Sequence, residues 1–380
     1  MLEFNLIFLI GTNTPRLAPT ALTEAIDSIV VTYRETGRSG FQIVFRVGRA
    51  KPSDVEDDPL LRGSEEQLLA AFNRVIVTLT INHQPKVLLD GIVTYHEYAP
   101  SLELGESILT LTGEDVSVMM DLEEKSIEHI ELDDQSIVQT LIASYSKYGL
   151  TPKLTAPQWV ERPLKTDRIP VQLGTDLAYI QELASRHGFV FYIIPGPTVG
   201  QNTAYWGPPN RKASPSKPLT FNMGSFTNLE SINFQYDALA AIKVMGQVQD
   251  RKTNAIQPVS NLSSSRSLLS SEPALTTQAH TRTVQFRQSA RLSNQATAYG
   301  QAMVDRAIAG VVTAQGELDT LTYGGLLEHG GLVDLRGVGY TYDGRYVVNE
   351  VTHEIRQGEY KQRFVMTREG LGTTVSSVSV

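Results

Sequence analysis

The sequence predicts a mainly β chain carrying an α+β insert. Closely spaced β-branched and apolar runs fill roughly the first 117 residues and return after about residue 219. Between them stand two segments whose apolar residues recur at helical spacing. This many short strands points to barrels or sandwiches on either side of the insert.

The elements follow in order. The runs "SIVVTY" (28–33), "FQIVFRV" (41–47), "RVIVTLTI" (74–81), "KVLLDGIVTYHEY" (86–98) and "ESILTLTGED" (106–115) read as strands. Val75, Val77, Leu79 and Ile81 alternate and share one face, and "NHQP" (82–85) reads as the hairpin turn that follows. "SDVEDDP" (53–59) interrupts the strands as an acidic loop. Residues 133–150 form a helix on their spacing: Ile137, Leu141, Ile142 and Tyr145 line one face, and Gly149 follows the end.

A second helix runs through "DLAYIQELASRHGFVFYI" (176–193) and passes into a strand. Leu177, Ile180, Leu183 and Ala184 fall on one face, and Thr175 or Asp176 can cap the start. Gly188 suits the left-handed residue that ends a helix, and Phe189 to Ile194 read as a buried strand. Arg186 and His187 lie in the last turn, where positive charge favours the helix dipole. Each polar residue of this corner thus has a structural task, and an active site is not required to explain it.

Residues 195–218 are rich in Pro and Gly and read as a long turn or excursion. "LESINFQYD" and "AIKVMGQVQD" then read as strands, and the polar stretch 251–282 as a mobile loop. A helix over about 290–309 carries Leu292, Ala296, Tyr299, Met303 and Ala307 and ends at Gly310. "VVTAQGELDTLT" (311–322), "LVDLRGVGY" (332–340), "RYVVNEVTHEIR" (345–356) and "KQRFVMTR" (361–368) are the remaining strands. "DGIVTYHEY" (90–98) and "NEVTHEIR" (349–356) echo one another, with a one-residue slip, as a duplicated β unit would. The expected division is 1–117 first β unit, 118–218 α+β connector, 219–370 second β unit and 371–380 a loose tail.

Composition narrows the function. Hydrophobic residues make up 41% of the 380 and charged residues 19%, a balance that supports packed cores. The net charge of −8, with no basic region, argues against binding nucleic acid through its phosphates. Cysteine is absent, which removes disulfides, thiolate metal sites and a cysteine nucleophile. No window reaches the ~20 apolar residues of a membrane helix, and the apolar start lacks a basic n-region. The expectation is synthesis in the cytoplasm.

No catalytic, cofactor or metal constellation emerges. "HEYAP" and "HEIRQ" lack the second His of a zinc helix and sit on strands, where exposed histidines are the simpler reading. "GRSGF" misses the nucleophile-elbow spacing, and "RGVGYTY" lacks the third Gly of a dinucleotide loop. Asp54, Glu56, Asp57 and Asp58 have Pro59 where a calcium loop needs Gly, so a solvated loop is favoured. Tyr205 and Trp206 in "YWGPP" are the candidate partner or sugar contacts, against the simpler reading of aromatics pinning a loop to the core.

Four stretches together resemble the late-control-protein-D-like hub proteins of contractile phage tails, similar to the hub portion of the VgrG spike proteins of injection systems. They are "LLDGIVTYHEYAPSLELGESILTLTGEDVSVMMDLEEK" (88–125), "DQSIVQTLIASYSKYGL" (134–150), "TDLAYIQELASRHGFVFYI" (175–193) and "GGLVDLRGVGYTYDGRYVVNEVTHEIRQGEYKQRFVMTREG" (330–370), and their order matches the family's. The resemblance implies two tail-tube-like β-barrel domains joined by a small α+β domain. It implies a non-enzymatic homotrimer that joins a hexameric tail tube to a separate threefold spike protein, among baseplate wedge components. In relatives a spike often continues the same chain; here the sequence ends at Val380, soon after "TREGLG", and the expectation is that the needle is a separate protein or is missing. The alternative functions are a cell-wall or glycan hydrolase, or a carbohydrate-binding β protein, of the same particle.

Overall fold

The computed structural model describes residues 5–12, 14–48, 68–81, 84–289 and 291–375. Strands β1 (Asn5–Gly11), β2 (Arg16–Leu17), β3 (Ile26–Arg34), β4 (Gly40–Val47), β5 (Arg74–Ile81), β6 (Gln84–Ala99) and β7 (Ser107–Asp115), with the short helix α1 (Thr20–Glu24), build the first half. Ile81 pairs with Gln84 at the foreseen hairpin, whose Asn82 and His83 lie outside the described residues, as does the acidic loop. Gly91 and Gly113 are required by packing. The Phe41 ring crosses both, and a Cβ on Gly113 would fall 2.3 Å from its Cζ.

The connector holds β8 (Lys125–Glu128), α2 (Asp134–Ala143), β9 (Leu150–Leu154), β10 (Val171–Gly174), α3 (Asp176–Arg186), β11 (Val190–Pro195) and β12 (Asn202–Gly207). Its core gathers Ile137, Ile142, Ile180, Leu183, Ile193 and Trp206. The long turn expected at 195–218 is instead interrupted by β12, which pairs with β11 on one edge and β9 on the other. The flanking Pro and Gly residues masked five residues of strand character, "NTAYW".

The remaining chain forms β13 (Ser216–Thr220), β14 (Ser231–Tyr236), β15 (Ile242–Gln249), β16 (Ile256–Asn261), β17 (Glu272–Pro273), α4 (Ala274–Thr277), β18 (Arg282–Phe286), α5 (Ser293–Ala307), β19 (Val312–Asp319), α6 (Thr320–Tyr323), β20 (Leu332–Arg336), β21 (Gly344–Arg356), β22 (Glu359–Arg368) and β23 (Gly370–Leu371). The polar stretch 251–282 is not one loop. It contributes β16, β17 and α4, with Pro258 accommodated because β16 is an edge strand. β15, β16, β18 and α5 enclose a small core of their own around Val244, Val248, Val259, Phe286 and Val304. The tail is pinned as far as it is described: Gly372 N–H donates to Thr341 O and Thr374 Oγ1 to Leu269 O.

The mainly β class with α+β insert holds. The two β sections, however, are halves of one 13-stranded sheet: eleven strands follow in the order β14-β19-β22-β21-β3-β4-β7-β6-β5-β1-β2, and off this path β20 pairs with β21 and β13 with β20. Among the described residues this order does not close into a barrel. The two halves are joined through β21, thirteen residues long. Its start pairs with β20 and its end, from Glu350 to Arg356, with β3.

The order also contains one unit twice. β3-β4-β7-β6 and β14-β19-β22-β21 have the same antiparallel connectivity, and both units carry a bulge at the same place, between Val93 and Tyr95 and between Val348 and Glu350. Aligning the bulges sets Tyr95 against Glu350 and carries "SIVVTY" (28–33) onto "SINFQY" (231–236), sharing Ser, Ile and Tyr. The Thr-His-Glu echo falls out of step with this alignment, so it is not the trace of the duplication.

Candidate functional site

One face of the doubled unit is polar. From the junction outward it carries Thr32, Arg34, Glu350, Thr352 and Glu354, with Lys361 and Arg363 on β22 and Glu317 on β19. Thr32 and Thr352 hydroxyls lie 3.0 Å apart. Arg34 Nε meets Glu350 at 2.9 Å, Arg363 reaches Glu317 at 2.8 Å and Glu354 at 2.7 Å, and Lys361 reaches Glu230 and Glu317. The opposite parity of the same strands, Ile29, Val31, Val351 and Ile355, is buried in the cores. Alternation alone therefore produces a hydrophilic sheet surface backed by a packed one.

The helix–strand corner is scaffold. Thr175 is the cap, its Oγ1 accepting from Ala178 N–H, and Gly188 has the foreseen left-handed φ of 64°. Asp176 is fully buried and accepts from Lys125 Nζ at 2.6 Å, Tyr145 Oη at 2.7 Å and Gln172 Nε2 at 2.7 Å. Burial alone would raise its pKa, but these three donors outweigh it and hold the carboxylate below its ordinary range. His187 Nε2 meets Asp134 at 2.9 Å. Two carbonyls at the helix end also accept from arginines of the later chain, Ser185 O from Arg306 on α5 at 2.9 Å and Gly188 O from Arg266, in the segment after β16, at 2.6 Å.

Between these units lies a cleft of about 400 Å³, lined by Trp159, His187, Phe189, Tyr205, Arg211 and Arg266 among others. It is here that the two aromatic candidates part. Tyr205 is half-buried at the cleft wall, its hydroxyl donating to Pro208 O at 2.6 Å. Trp206 points the other way and is 0% exposed, edge-on to Phe189 at 4.9 Å and His187 at 5.8 Å. Trp206 thus has the place that the simpler reading gave it, an aromatic pinned into the core, and leaves the contact candidates, because strand alternation sends neighbours to opposite faces. Arg211 and Arg266 were not foreseen. They reach the cleft from distant segments, Arg211 through a 2.7 Å pair with the buried Glu369 and Arg266 beside Asp305 at 3.6 Å.

The expected exposed histidines also divide. His96 is exposed, whereas His353 is buried, with Nδ1 3.2 Å from Tyr360 Oη and its pKa lowered by burial to about 3. Among the described residues no group of three His, Asp or Glu is placed to hold a metal ion, and no helix is long and apolar enough to cross a membrane.

The sequence matches no protein-family model and no curated protein. Solved structures are similar. A tail protein from Neisseria meningitidis is 12% identical with a TM-score of 0.62, the match covering 97% of this chain and 98% of that one. The 43 kDa tail protein of prophage MuSo2 from Shewanella oneidensis is 11% identical with a TM-score of 0.60, covering 97% and 99%. An E. coli type VI secretion system component, described as structurally similar to the phage T4 tail proteins gp27 and gp5, is 10% identical with a TM-score of 0.54, covering 90% and 73%. From end to end, this chain has the fold of phage tail and type VI secretion proteins.

Proposed function

We propose that the chain is the structural hub of a contractile-tail or injection-system baseplate, a homotrimer that joins a sixfold tail tube to a threefold spike. The observation that carries this reading is the doubled four-strand unit held in a single sheet by the β21–β3 pair. Three copies of such a chain offer six equivalent units, which resolves a threefold-to-sixfold mismatch without a second protein. The ion-paired polar face fits the lining of a hydrated channel, and the likeness to tail and secretion-system structures agrees with the assignment.

In this reading the units at 1–117 and 219–370 are the tube-like ones, and 118–218 is the connector. The partners are a tube-protein hexamer, a separate spike protein and wedge components, met when the chain joins the particle after synthesis in the cytoplasm. The role is architectural rather than enzymatic, and Tyr205 with the surrounding cleft is kept as a contact for a baseplate neighbour. Multi-angle light scattering with negative-stain imaging tests the proposal. A three-subunit ring with a central opening is expected; a monomer or a closed dimer at high concentration, unchanged by the cognate spike protein, overturns it.

A further inference from the structure

We propose that the free edge of β6 at residues 94–99 pairs, antiparallel and in a fixed register, with the free edge of β14 in a second copy of the chain. This deepens the hub reading and rests on it. The argument begins with what each edge lacks. β5 covers β6 only as far as Ile92, and among the described residues residues 95–99 pair with β7 alone. Among the described residues β14 pairs with β19 alone. Both are therefore open rows of backbone donors and acceptors, which a stable assembly covers.

The chain itself shows how such edges are covered. In the doubled unit β6 corresponds to β21 and β14 to β3, and β21 and β3 are paired to each other. The intramolecular junction is thus a template for a junction between copies. Transferred through the bulge alignment, its pairs Val351–Tyr33, Thr352–Thr32 and His353–Val31 become His96–Tyr236, Glu97–Gln235 and Tyr98–Phe234. Tyr98 would face Phe234 and His96 would face Tyr236, both favourable cross-strand aromatic pairs.

Burial points the same way. At the covered junction Val351, His353, Tyr33 and Val31 are 0%, 3%, 5% and 1% exposed. At the matching open positions Tyr98 is 45% and Tyr236 40% exposed, and His96 is exposed outright. Large side chains that the template buries stand in solvent in the single chain. The contact is head-to-tail, so repetition propagates it around a ring.

The absence of cysteine makes the test direct. A Glu97→Cys, Gln235→Cys chain places thiols on two exposed, directly opposed positions, whose Cβ atoms would lie about 4.5–5.5 Å apart. Thr32→Cys with Thr352→Cys is the intrachain control, and Glu97→Cys with Tyr236→Cys, one residue out of register and on the other face, is the mismatch. Mild oxidation of the purified full-length chain is expected to give a reducible covalent trimer for the matched pair, an intrachain bond for the control and no interchain bond for the mismatch. Ala99→Cys with Asn233→Cys repeats the matched test should the first chain fold poorly. A particle that is trimeric by light scattering, with the control bond formed but neither matched pair cross-linked, overturns the edge pairing and leaves the hub reading intact. A monomer without interchain bonds, unchanged by the cognate spike protein, overturns both.

Discussion

Thr32 and Thr352, 320 residues apart in sequence, bring their hydroxyls within 3.0 Å and mark where the two halves of the chain become one sheet. β21 is hydrogen-bonded there on both edges, to β22 and to β3. Thr352→Pro removes a donor from the centre of that strand and is expected to cost about 3 kcal/mol or more. Thr352→Val keeps the shape and removes only a half-buried hydroxyl pair, so it is expected to cost under ~1.5 kcal/mol. Urea unfolding followed by circular dichroism checks this. A proline variant as stable as the valine variant would show that the junction does not couple the halves.

Arg74 and Asp90 fasten the first half to the connector. Arg74 Nε and Nη2 bind the two Asp90 oxygens at 2.6 and 2.7 Å, with both residues buried. Arg74 Nη2 also donates to Tyr148 O, and Asn202 Nδ2 donates to Asp90 at 2.9 Å. Asp90→Ala leaves a buried guanidinium without its anion, for which a loss of ~3–5 kcal/mol is expected. Replacing both residues by apolar ones of similar volume, Arg74→Met with Asp90→Leu, is expected to recover much of that loss. Denaturation midpoints of the single and double variants decide the matter, and a double variant weaker than Asp90→Ala would refute it.

Local signals in the sequence account for most of the fold. Alternation in "RVIVTLTI", the Ile137–Leu141 spacing, the Thr175 cap and Gly188 each act within a few residues, so a linear reading reaches them. Three features escaped for stated reasons. β12 was hidden by its Pro and Gly neighbours. The small core of β15, β16, β18 and α5 rests on a handful of apolar residues within polar sequence. The β21–β3 junction depends on partners more than 300 residues away, which no window sees. The same holds for the cleft: Tyr205 was legible as an aromatic beside prolines, but Arg211 and Arg266 are brought there by tertiary pairing with Glu369 and Asp305.

Trp206 now belongs to stability. It is fully buried in the connector core, and its indole Nε1 has no hydrogen-bond partner among the described residues. Trp206→Ala is expected to lose ~3–5 kcal/mol through the cavity it leaves. Trp206→Phe forfeits no hydrogen bond and should lose about half as much or less. Thermal unfolding compares them; equal stability of the alanine variant and the parent chain would place the side chain outside the core.

Glu35, at the end of β3, sets a pH dependence. The residue is 3% exposed, accepts from Asn349 Nδ2 at 2.7 Å through one oxygen, and among the described residues has no partner on the other. Burial raises its pKa from 4.5 to about 7, against the opposing Asn349 hydrogen bond and the charges of Arg211 and Arg266. The folded chain thus holds a proton that the unfolded chain releases near pH 4.5. Its contribution to stability is complete below that pH and is lost as pH rises through about 7. Glu35→Gln keeps the shape without the charge. Relative to the parent chain it is expected to gain stability across this window and level off above it, by an amount approaching ~3 kcal/mol. Asp115, raised by burial to about 6, shifts the parent in the same direction. His329 and His353, lowered by burial to about 4 and 3, lose stability as pH falls below 6.5. All three groups are common to both chains, so the difference between them isolates Glu35. Urea midpoints for the two chains from pH 4 to 9 measure it; a difference that stays flat over this range would mean that Glu35 is ionised in the fold.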